Sequence, residues 1–140
     1  MRKTILLGII GLLCSHQSLF AQNINGSMDS IQTLLCKKWE VNYALMGGMK
    51  IGRVPGATEM NYEFNKDKTF LLTSNGSKDK TKGTWSYDAK KKLIKLTLNG
   101  KSNTTITSLK EDELVILTDM KGASPDDPME LQMVLKVKAK

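Results

Sequence analysis

The chain has a single histidine, His16, and it lies in an N-terminal stretch expected to be removed on export. Met1-Arg2-Lys3 is a short positive segment, Thr4 to Leu13 is almost wholly apolar, and Ser18-Leu19-Phe20-Ala21 ends in the small residue a signal peptidase requires. The apolar run is about ten residues where a membrane span needs about twenty, so residues 1–21 read as a cleaved signal and not as a transmembrane helix. Without His16, no Ser-His-Asp relay, Cys-His pair or histidine metal site can be assembled in the exported chain. Cysteine is equally scarce. Cys14 falls within the leader, which leaves Cys36 alone and excludes an internal disulfide. In an oxidising compartment Cys36 is expected to be a buried, inert thiol, the alternative being an intermolecular bond. Cys14 closes an apolar run, as the acylated cysteine of a bacterial lipoprotein does. The bulky Leu13 before it favours release to the periplasm or the extracellular space over such an anchor.

Arginine is nearly absent too. The formal net charge of +7 falls by two with the leader, and of the basic residues left only Arg53 is an arginine. Arginine is the residue suited to bidentate phosphate and base recognition, and the lysines are scattered, with Lys90-Lys91-Lys92 the single run, so nucleic acid is not an expected partner. Carboxylates alone could serve a glycosidase. However, Glu59 and Glu63 alternate with Met60, Tyr62 and Phe64 and so face solvent, Glu111-Asp112-Glu113 reads as a turn, and Asp126-Asp127 as a loop. The stretch from Asp119 to Glu130 lacks the spaced oxygen ligands of a calcium loop. The expectation is a non-enzymatic protein with no metal and no cofactor.

What remains of a 140-residue chain is enough for one domain, 22–140, and too short for two of ordinary size. Asp29-Ser30-Ile31-Gln32 offers a helix N-cap with a capping-box partner, and Ile31, Leu34 and Leu35 share one face of a short helix. From Trp39 the period becomes two. Trp39, Val41 and Tyr43 alternate with Lys38, Glu40 and Asn42, and Met60, Tyr62 and Phe64 follow the same rule. Further inward sets are Phe70 and Leu72; Gly83, Trp85 and Tyr87; Ile94, Leu96 and Leu98; Ile106; Leu114 and Ile116; and Leu131, Met133, Leu135 and Val137. Turn residues separate them at Asn65 to Lys68, Asn75-Gly76, Asp88 to Lys90, Asn99-Gly100 and Lys110 to Asp112. Hairpin after hairpin predicts an all-β fold: eight up-and-down antiparallel strands closed into a barrel behind a short N-terminal helix. Leu45 to Ala57 and Asp119 to Pro128 are longer connections, each either a lid or a plug for one barrel end.

The run Leu34-Leu35-Cys36-Lys37-Lys38-Trp39, the pattern Tyr62-x-Phe64-x-x-Asp67-x-Thr69-Phe70 and Gly83-Thr84-Trp85-x-Tyr87-Asp88 resemble the small lipocalin-like domains of secreted proteins in Bacteroidetes-type bacteria. Classical lipocalins carry a glycine two residues before the first-strand tryptophan, where this chain has Lys37. The resemblance implies a calyx with an apolar pocket. On physical grounds Trp39 would plug the helix end, and Gly83 would allow a close approach or a bend. The large inward side chains on short strands favour a filled lower half and a shallow mouth.

Two functions fit this reading. In one, an exported monomer binds a small hydrophobic ligand in the barrel mouth, with Trp39, Tyr62, Phe64, Phe70, Trp85, Met46, Met49 and Ile51 as walls. In the other, a filled barrel presents its rim loops to an envelope protein or glycan.

Overall fold

The computed structural model describes residues 24–52, 59–74, 77–120 and 129–140. The expected leader and most of the Asp119 to Pro128 connection lie outside them, as does Asn75-Gly76.

Ile24 anchors the start of the domain. It is buried, its amide donates to the Lys92 carbonyl at 2.9 Å, and its carbonyl accepts from Tyr87 Oη at 2.9 Å. With the chain pinned there, the turn into the helix comes early: Ser27 is extended and its Oγ accepts from the Ser30 amide at 3.3 Å. Helix α1 (Met28–Leu35) is therefore capped by Ser27 and not by Asp29 as the sequence suggested. Asp29 instead occupies the first turn, where its charge suits the positive helix end.

Nine strands follow: β1 (Lys38–Met46), β2 (Met49–Ile51), β3 (Met60–Phe64), β4 (Thr69–Ser74), β5 (Lys80–Asp88), β6 (Leu93–Leu98), β7 (Lys101–Leu109), β8 (Glu113–Met120) and β9 (Met129–Val137). From β3 to β9 each strand pairs with the next, all antiparallel, and β1 pairs with β3 on one side and β9 on the other. Eight strands thus close into an antiparallel barrel, as expected. The short β2 is an addition within the connection that starts at Leu45. It turns back on Gly47 and Gly48, both at positive φ (56° and 80°), and pairs with the upper end of β1 on the edge that β3 occupies lower down. Asn99 and Gly100, with φ of 50° and 73°, form the tight hairpin turn the sequence signalled.

The core fills the helix end. Ile31 and Leu35 of α1 cover it, and the Trp39 indole N–H donates to the Leu35 carbonyl at 3.0 Å, so Trp39 does plug that end. Trp85 Nε1 donates to the Asn65 carbonyl at 3.0 Å, which ties the β3–β4 turn to the interior. Lys37, in the classical glycine position, bridges the same end: its Nζ donates to the Glu111 carbonyl at 3.0 Å. Phe64 packs against Phe70 with ring centroids 5.5 Å apart, and Tyr62 lies 6.1 Å from Phe64 and 6.2 Å from Phe70.

Three register shifts interrupt the sheet; one lies between Leu96 and Leu98, opposite Thr104 and Lys101, and the other two are bulges that decide which residues face inward around the core. In β1 the register shifts between Val41 and Tyr43, so Ala44 enters the core and Tyr43 turns to the outer wall, contrary to simple alternation. In β7 the shift between Ile106 and Ser108 turns Ser108 outward, opposite Val115, and Leu109 inward, opposite Leu114. An inserted residue reverses the facing of all that follow, which a period-two pattern cannot anticipate.

Gly83 is opposite Phe70, whose ring lies where a Cβ would project, and that Cβ would also stand 2.7 Å from the Thr97 carbonyl oxygen. Gly83→Ala is expected to destabilise the barrel by about 1–3 kcal/mol, read as a lower urea midpoint. Burial pushes the Tyr62 hydroxyl up to about 12. The folded state thus holds this proton more tightly than the unfolded chain, whose tyrosine titrates near 10. Stability present below about pH 10 should therefore be lost between about pH 10 and 12. Tyr62→Phe should flatten that decline in an alkaline series of thermal melts.

Candidate functional site

The two ends of the barrel differ in kind. At the helix end, α1, the Asn65 to Lys68 turn and the Asp88 to Lys92 turn close over the tryptophans. Their carboxylates are structural. Asp67 Oδ1 accepts from Thr69 Oγ1 at 2.5 Å and from the Thr69 amide at 3.0 Å, and these bonds hold its carboxyl below the usual range. The Lys91 and Lys90 amides, 3.0 and 3.1 Å from Asp88 Oδ1, do the same for Asp88, with Lys95 beside it. Burial pushes the Cys36 thiol up, opposed by Lys66 and aided by Asp67, so it stays protonated at neutral pH. A raised thiol is a poor nucleophile.

The opposite end, where β1 turns at Gly47-Gly48 and β6 at Asn99-Gly100, is lined differently. Pairing places Met46 opposite Leu131, Leu131 opposite Thr118 and Thr118 opposite Thr104. On the far side it places Met60 opposite Ser74, and Leu72 opposite Thr81. All of these continue the inward faces of their strands. Met60, Leu72, Leu98 and Leu131 are only partly buried and rest on the core below. The Thr104 and Thr118 hydroxyls are 3.4 Å apart, one polar pair on this apolar ring. The inward faces at this end are therefore largely apolar, and the hydroxyl pair among them is able to orient a polar atom.

The residues singled out from the sequence divide between floor and rim. Trp39 is 0% exposed, Phe64, Phe70 and Trp85 are each 2% and Tyr62 is 5%; all five belong to the buried core, and the rings of Tyr62, Phe64 and Phe70 pack on one another. Met46 is half-buried at the mouth, and Ile51 is half-buried on β2. Met49, paired with Met46, is 75% exposed. The hairpin therefore joins Met46 and Met49 at the rim, separate from the aromatic stack. Reasoning from side-chain size missed Met60, Leu72, Leu98 and Leu131. Each had been placed on an inward face. The missing signal was position: in an up-and-down barrel with a helix at one end, the inward residue of each strand farthest from that helix lines the other end.

Among the described residues there is no group of three or more His, Cys, Asp or Glu placed to hold a metal ion. No helix among them is long and apolar enough to cross a membrane. No curated protein and no solved structure matches the chain. A family model described as a lipocalin-like domain (DUF4923) matches residues 30–122, from within α1 to just past β8. With a closed eight-stranded barrel, a helix across one end and that match over most of its length, the chain belongs to the DUF4923 family of lipocalin-like domains.

Proposed function

We propose that the protein is an exported, non-enzymatic binding module that takes a small apolar molecule into the shallow mouth of its barrel. The observation that carries this reading is the ring of inward, partly buried Met60, Leu72, Leu98 and Leu131 above a filled core. An eight-stranded barrel has room for its own side chains or for one small ligand, and here the lower half is taken by Trp39, Phe64, Phe70 and Trp85. A ligand would rest on Tyr62 and Phe70, whose rings pack against each other and against Phe64. Met46 and Ile51 would extend the wall on the β2 side. A second reading, in which the rim binds an envelope protein or glycan, draws support from Met49, a large apolar side chain held 75% exposed beside the hairpin turn.

The uncharged probe N-phenyl-1-naphthylamine separates the two. Its emission should rise saturably with the folded protein, and Leu72→Lys should weaken binding at least tenfold while Met49→Ser leaves it within twofold. No enhancement by a natively folded sample would overturn the calyx reading. Export is tested by the intact mass of protein recovered from the envelope fraction, which should correspond to a chain beginning near Gln22. A lipid-modified chain beginning at Cys14 would instead establish anchoring.

A further inference from the structure

We propose that the outside of the barrel wall carries a second ligand site, for a small elongated amphipathic molecule with an acidic head group, in a groove of about 450 Å³ across β1, β7, β8 and β9. The first sign is a break in alternation on β9. Met133, Val134 and Leu135 are 4%, 6% and 0% exposed, although only alternate residues of a barrel strand can point inward. Met133 and Leu135 pair with the inward Ile116 and Leu114. Val134 must therefore face outward, where it lies between Tyr43 on β1 and Val115 on β8, apart from the main core. Ser108, also outward, is 6% exposed. Val134 and Ser108 are thus buried on the outer wall, where the side chains of a barrel strand are ordinarily solvated.

The two bulges create this relief. The one in β1 delivers the Tyr43 ring to the outer face, and the one in β7 kinks the opposite bank at Thr107 and Ser108. Bulges that re-aim a side chain are frequent beside binding sites. Leu45, Val115 and Val134 supply an apolar bed. A second hollow of about 300 Å³, lined also by Leu117, Glu130 and Gly47-Gly48, shares Leu45 and Gln132 with the groove and gives an apolar tail room to extend over Leu117.

The charges select the head group. Three charged side chains line the groove: Lys50, Lys110 and Glu113. Lys110 Nζ and Glu113 Oε1 pair at 3.6 Å. Lys50 Nζ stands 4.4 Å from the centroid of the Tyr43 ring, and among the described residues it forms no ion pair with a carboxylate. A cation over an aromatic ring beside an apolar bed suits a carboxylate, sulfonate or phosphate attached to an apolar body. A volume of this size falls in the range of small-molecule sites, roughly 300–1,000 Å³. The groove is separated from the mouth by the wall itself, so this inference does not depend on the calyx reading.

The test is methyl NMR of the folded protein titrated with sodium dodecanoate below its micelle concentration, with dodecyltrimethylammonium as the control of opposite charge. The Leu45, Val115 and Val134 methyls should shift saturably with dodecanoate. The cationic analogue should bind at least tenfold more weakly, and Lys50→Glu should weaken dodecanoate at least tenfold without altering the dispersion of the spectrum. Shifts confined to Leu72, Leu98 and Leu131, or equal binding of both head groups, would overturn the outer site. The first of those outcomes would still leave the mouth a binding site, and loss of the naphthylamine signal alone would leave the groove intact.

Discussion

Trp39 is the point at which the separate parts of this protein are fastened together. Its backbone pairs with Tyr62 of β3 on one side and Val137 of β9 on the other, and its indole holds the last turn of α1 through the Leu35 carbonyl. One residue thus fixes the helix, the start of the sheet and the seam where the sheet closes. A buried indole N–H needs an acceptor, and an unpaired one would cost about 1–3 kcal/mol. That requirement dictates where the helix must end. Everything farther along the barrel axis inherits its register from this end: Phe70 over Gly83, the tier of aromatic rings, and finally the half-buried ring at the mouth.

Closure also divides labour around the wall. The upper part of β1 has β9 on one edge and only the three-residue β2 on the other, so the wall beside the mouth is finished by a hairpin and not by β3. The same segment carries the bulge that exchanges Tyr43 for Ala44. A narrow barrel interior accommodates alanine beside the five buried aromatic side chains more readily than a sixth large ring. The outward tyrosine is the counterpart of that choice, and it gives the exterior of the barrel a relief that strict alternation would have denied it.

Much of this was legible in the sequence. Period-two alternation located the eight barrel strands, Asn99-Gly100 marked its turn, and Trp39 and Gly83 were assigned their structural roles from size and neighbours. The features that escaped share a cause. β2 is too short for alternation to register. The bulges at Val41/Tyr43 and Ile106/Ser108 are departures from the very period used to find strands, and Ser27 replaced Asp29 as cap because Ile24, a residue with no local signal, is tied to β5 and to Lys92. Side-chain size found the large rings of the core but could not rank them by depth. Depth depends on which barrel end the helix occupies, a property of the tertiary arrangement.

The pairing of β1 with β9 joins the first strand to the last, and the family match stops before β9 begins. Contacts so distant in sequence make folding slow, because the loop they close must be ordered before they contribute. Until the final strand is in place, the edge of β1 presents unpaired amides and carbonyls, with the apolar face behind it open to any other extended chain. A chain threaded N-terminus first into a new compartment would pass through that state on every occasion. The seam that completes the barrel is therefore also the stage at which a chaperone has most to protect.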